Sequence, residues 1–74
     1  MFIKYHRVVN KMYWRRIVSI STDLKKFDLG VERKGNYFIV FSRRSGKYVA
    51  YRSAETLWNK LVERRWEELS YHLL

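Results

Sequence analysis

The sequence predicts an α+β fold: a small, mostly antiparallel β-sheet of about four to five strands, with one C-terminal amphipathic α-helix packed on it. Three observations support this. β-Branched and aromatic residues fill short runs as far as Tyr51. Turn-forming residues at Asn10-Lys11, Lys34-Gly35 and Ser45-Gly46 separate those runs. From Ser53 onward the apolar residues change to helical spacing. The 74 residues make a single domain, 1–74.

The elements follow in order. Phe2 to Val9 and Met12 to Ile20 read as two strands joined at Asn10-Lys11. Asn tolerates a positive φ, although Asn-Gly is the stronger hairpin signal. In the second strand Met12, Trp14, Val18 and Ile20 share one face, and Arg15, Ile17 and Ser19 the other. Leu29 to Arg33 and Asn36 to Phe41 flank Lys34-Gly35 and form a second hairpin. Tyr37-Phe38-Ile39-Val40-Phe41 is apolar on both faces, as a central strand is. Arg43-Arg44-Ser45-Gly46 turns the chain into a strand from Lys47 to Tyr51, where Tyr48 and Ala50 face away from Val49 and Tyr51.

Ser53 suits a helix N-cap, because its hydroxyl accepts from an orphan N–H of the first turn. Glu55 follows where the helix dipole favours an anion. Leu57, Trp58, Leu61, Val62, Leu69 and Leu73 then recur on one side, with Glu63, Arg64, Glu67 and Glu68 on the other. This predicts one helix of roughly five turns.

Composition narrows the function. There is no cysteine, so neither a disulfide nor a thiolate metal site is available. That suits a reducing cytoplasm. A chain this short buries only about 60–65% of its unfolded surface, so the core is thin; an aromatic content of 18% helps to fill it. Lys4, His6 and Arg7 interrupt the first ten residues, so no signal peptide is expected there. No run approaches the ~18 apolar residues of a membrane helix, and no membrane partner is expected.

The formal charge is +9, unevenly spread. Residues 1–52 carry 13 basic and 3 acidic side chains, a net of +10; residues 53–74 carry 3 and 4, a net of −1. The positive field of the first part favours anionic partners, either nucleic acid or an acidic protein surface. Non-specific DNA binding at low salt is expected whatever the function.

His6 and His72 lack a carboxylate, serine or second histidine at a catalytic or metal-binding spacing. The predicted protein is therefore not an enzyme, and no cofactor or metal is expected; no motif supports a ribonuclease toxin. Gly46-Lys47 lacks the glycine spacing of a phosphate loop. The cations Arg15, Arg16, Lys25, Arg43, Arg44 and Lys47 form a candidate contact surface for phosphates or acidic side chains. Trp58 belongs to the apolar helix face and Trp66 to its edge. An exposed Trp14 beside Arg15 and Arg16 would be a stacking platform for bases.

Lys26-Phe27-Asp28-Leu29-Gly30-Val31 resembles the short peptide that bacterial proteins insert into the polymerase sliding clamp. That pattern runs Gln, apolar, Asp or Ser, Leu, then an aromatic; a longer variant has one extra residue before a final apolar position. Phe27, Asp28 and Leu29 match its second to fourth positions, and Val31 the last position of the longer variant. Lys26 stands in place of Gln, and Gly30 in place of the aromatic. The same residues also read as the start of a strand whose Leu29 and Val31 face the core.

The whole chain is similar to the small early proteins of staphylococcal bacteriophages that arrest the host by binding its replication sliding clamp. The resemblance implies an inhibitor in the cytoplasm of the bacterial host, one per protomer of the dimeric ring. It would occupy the partner pocket through Lys26, Phe27, Asp28, Leu29 and Val31 and intrude on the DNA channel. That channel is itself basic, so occupancy by a cationic protein has to be steric. The alternative reading is a small basic nucleic-acid-binding regulator that uses a basic sheet face and its aromatics.

Overall fold

A computed structural model describes residues 2–63 and 66–73, with side chains from Val8 onward apart from that of Glu67. Among the described residues seven elements follow one another: α1 (Phe2–Ser19), α2 (Ser21–Lys25), β1 (Leu29–Lys34), β2 (Tyr37–Ser42), β3 (Tyr48–Tyr51), α3 (Ala54–Glu63) and α4 (Trp66–His72). The fold is α+β, with a three-stranded antiparallel sheet in the order β1-β2-β3.

The first third departs from the predicted hairpin, for it is one long helix. Individual β-branched residues cost a helix only up to about 0.7 kcal/mol each, and tertiary packing overrides that. The packing is visible in the burial. Ile17 is fully buried, and Asn10, Tyr13 and Trp14 are half-buried. Their spacing of i, i+3, i+4 and i+7 is a helical stripe. Val8, Lys11, Met12, Arg15 and Val18 face solvent between those positions. With two predicted strands absorbed into α1, the sheet has three strands rather than four to five.

The later elements lie close to their predicted places. Gly35 takes the positive φ of +59° that the β1–β2 turn requires. β2 is central, as its apolar run predicts. Its alternation sorts the sheet into two faces. Phe38, Val40 and Ser42 are buried on the inner face, opposite Tyr37, Ile39 and Phe41. Leu57 and Leu61 of α3, and Leu69 and Leu73 beyond them, join Phe38 and Val40 in one core with Ile17, Leu24, Leu29 and Ala54.

Where one five-turn helix is predicted, the described residues form α3 and α4, on either side of residues 64 and 65. Val62, placed by spacing on the apolar stripe, is 60% exposed. The Trp66 indole N–H donates to the Leu61 carbonyl at 3.0 Å, which satisfies its polar edge while the ring packs on the core. Ser53 caps α3 as predicted, with its hydroxyl accepting from the Thr56 N–H at 3.4 Å. Arg64 and the side chains of His6 and Glu67 lie outside the described residues.

Candidate interaction surface

The segment that resembles a clamp-binding peptide is not an extended ribbon. Lys26, Phe27 and Asp28 close α2 through N–H donations to the carbonyls of Asp23, Leu24 and Lys25 at 3.0–3.1 Å. Asp28 then takes a left-handed φ of +58°, which Asp tolerates better than most residues. That reversal delivers Leu29 to the inner face of β1. Leu29 is fully buried and faces Ser42 across the ladder. A side chain committed to the core cannot also fill a partner's pocket, so Leu29 drops out of the candidate contacts. Val31 is half-buried on the same inner side, opposite Val40. Phe27 is half-buried, its ring edge-on to Trp66 at 5.9 Å between centroids. Lys25 and Lys26 are exposed, and Lys26 lies 3.7 Å from Asp23.

The predicted basic turn lies directly against this segment. Ser42, the one buried polar residue among those described, builds it. Its hydroxyl accepts from the backbone N–H groups of Arg44 and Ser45, each at 3.2 Å. Its backbone N–H donates to the Lys47 carbonyl, and its carbonyl accepts from Gly46, which has a φ of +76°. The Ser45 hydroxyl donates to the Leu73 carbonyl and holds the turn to the helical layer. Arg44 is thereby presented outward, while Arg43 turns back so that its Nε donates to the Leu29 carbonyl at 3.4 Å. The Arg43 N–H donates to the Asp28 carbonyl at 2.7 Å. Arg44 Nε lies 2.9 Å from Asp28 Oδ2.

Through Asp28, which lies 15 and 16 positions before Arg43 and Arg44, the Lys25–Asp28 turn and the Arg43-Arg44 turn meet on one side of the fold. The candidate contacts Arg15 and Arg16 are elsewhere, exposed on α1, where the Arg16 guanidinium stacks over Tyr13 at 5.0 Å. Lys47 is exposed at the far end of the turn. Trp14 is no exposed platform: its ring packs on Phe38 at 5.6 Å between centroids.

The sequence suggests a basic sheet face with aromatics but does not say which face is exposed. Tyr37, Phe41 and Tyr48 lie on the outer one, with Lys34 and Arg52 at one end. Among the described residues no three His, Cys, Asp or Glu side chains converge to hold a metal ion, and no helix is long and apolar enough to cross a membrane. No known family, curated protein or solved structure matches the chain.

Proposed function

We propose that this chain is a binding protein, a bacteriophage-type inhibitor that docks on the bacterial polymerase sliding clamp in the host cytoplasm. It would block the clamp's partner pocket and DNA loading, and so host replication. The observation that supports this reading is the junction of the Lys25–Asp28 turn with the Arg43-Arg44 turn through Asp28. It joins the surviving part of the clamp-peptide resemblance to a cationic rim suited to an acidic protein surface.

The energetics require more than a peptide. Burying the rest of the Phe27 ring contributes no more than about 1.5–3 kcal/mol. Micromolar affinity needs about 8 kcal/mol. The folded domain therefore engages a wider surface, and rigid turns reduce the ordering cost.

Calorimetric titration into purified clamp tests the proposal. The parent should bind with one inhibitor per clamp protomer. Arg43→Glu with Arg44→Glu should weaken binding at least about tenfold, because like charges then meet the acidic rim. Parental affinity in that variant, or no heat with the parent, overturns the reading. Pull-down from bacterial lysate with and without nuclease separates a clamp from a nucleic-acid bridge.

A further inference from the structure

The sheet has one face packed by helices and one left to solvent. On the solvent side the rows are Gly30-Phe41-Tyr48, Glu32-Ile39-Ala50 and Lys34-Tyr37, read across the strands. Glu32, Lys34, Ile39, Phe41 and Tyr48 of these rows, with Gly46, line an open depression of about 320 Å³. Tyr48 is 65% and Tyr37 42% exposed. Gly30 lets the Phe41 ring lie flat across β1: a Cβ there would come within 2.4 Å of the ring. Positions 37 and 41 are four residues apart, about 13 Å along the strand. Cations stand at their rings. The Arg52 guanidinium is 6.0 Å from the Tyr37 ring and that of Arg43 is 5.6 Å from the Phe41 ring. Lys34 is the register partner of Tyr37. Glu32 is the one acid among them.

Exposed aromatic faces interleaved with cations are what unpaired bases and their phosphates require. Paired bases keep their faces within the helical stack, so the rings offer nothing to a duplex. A second copy of this chain is the other natural occupant of an open apolar face, but each copy brings a charge of +9, which opposes that contact. We propose that the solvent-facing side of the sheet is a platform for single-stranded nucleic acid. Tyr37, Phe41 and Tyr48 stack bases, and Lys34, Arg43 and Arg52 contact phosphates. The rings of this site lie outside the turn surface assigned to the clamp; Arg43 is the one residue the two surfaces share, and the tyrosine variants below leave it in place.

The test is fluorescence anisotropy at physiological salt with labelled oligothymidylate, oligouridylate and a DNA duplex of equal length. No clamp is present, so failure here is distinct from failure of clamp docking. The parent should prefer the single strands; the two oligomers show whether DNA or RNA is favoured. Tyr37→Ala with Tyr48→Ala should lower single-strand affinity roughly 10- to 100-fold and leave duplex binding unchanged. Both rings are exposed, so the fold should persist by circular dichroism; Tyr48→Ser alone, at the most exposed ring, provides a second reading. Arg15→Ala with Arg16→Ala, on α1, should change single-strand affinity far less. The proposal is overturned if both tyrosine variants bind like the parent, or if the parent prefers duplex. It is also overturned if sedimentation shows a parent dimer that the tyrosine variants abolish, since a second copy then covers the face.

Discussion

Arg44 Nε sits 2.9 Å from Asp28 Oδ2 and links the β2–β3 turn to the turn between α2 and β1. Both side chains are well exposed, at 65% and 47%. Water screens the pair, so its contribution to stability falls within about 0–1 kcal/mol. The backbone hydrogen bond from Arg43 to Asp28 fixes the geometry instead. Arg44→Ala should therefore shift the urea midpoint only slightly while weakening clamp binding in the same preparation. A loss of stability well above 1 kcal/mol would show that the ion pair, and not the backbone, holds the two turns together.

Phe27 and Leu29 are neighbours in sequence with opposite fates. Leu29→Ala empties a fully buried position and should cost about 2–5 kcal/mol. In a small domain whose total stability is as low as ~5 kcal/mol, that is enough to unfold much of the population. Phe27→Ala removes a half-buried ring and one edge contact with Trp66, and should cost less. Thermal melts of the two single variants give the comparison. Equal losses would mean that Phe27 belongs to the core and offers no edge to a partner.

Gly30 and Phe41 should be energetically coupled. Gly30→Ala places a methyl within 2.4–2.9 Å of three ring atoms of Phe41, and the ring must swing away. The displaced atoms are the far end of a half-exposed side chain, so the cost should be at the low end of the overpacking range, about 1 kcal/mol. With Phe41→Leu in place the clash is gone, and Gly30→Ala should become nearly neutral. A double-mutant cycle measures this, and simple additivity would contradict the observed ring position.

Local chemistry made the second half of the fold legible. Lys34-Gly35 and Ser45-Gly46 are turns because glycine supplies their positive φ, and Ser53 caps because its hydroxyl reaches an orphan N–H. The first helix was not legible in this way. Val8, Val9, Ile17, Val18 and Ile20 favour a strand locally, and only contact with α3 and Phe38 reveals which face is inward. The candidate surface was half legible. The cations were recognised as such, but the left-handed turn at Asp28 that buries Leu29 has no sequence signature beyond an Asp. Nor does a pair such as Asp28–Arg44, sixteen positions apart, leave a periodic trace.

Asn10 shows what such a distant contact does, and it carries the last prediction. Its side-chain oxygen accepts from the Ala54 N–H at 3.1 Å, across 44 positions. The first N–H groups of a helix have no internal partner. Ser53 satisfies that of Thr56, and Asn10 of α1 satisfies that of Ala54. Ala54 is fully buried, so water is a poor substitute for the lost acceptor. Asn10→Ala should cost about 1–3 kcal/mol, the penalty of an unsatisfied buried donor. Ser53→Ala, which removes a longer bond at an exposed N–H, should cost less. Asn10→Asp keeps the acceptor and adds a negative charge at the helix N-terminus, so it should retain most of the parental stability. Asn10→Gly separates the helix from the hairpin that the sequence predicts. In a hairpin turn glycine is tolerated or favoured. In the middle of α1 it adds about 1 kcal/mol of helix cost to the lost cap. Urea unfolding of all four variants gives the order. Asn10→Gly as stable as the parent would restore the hairpin and remove α1.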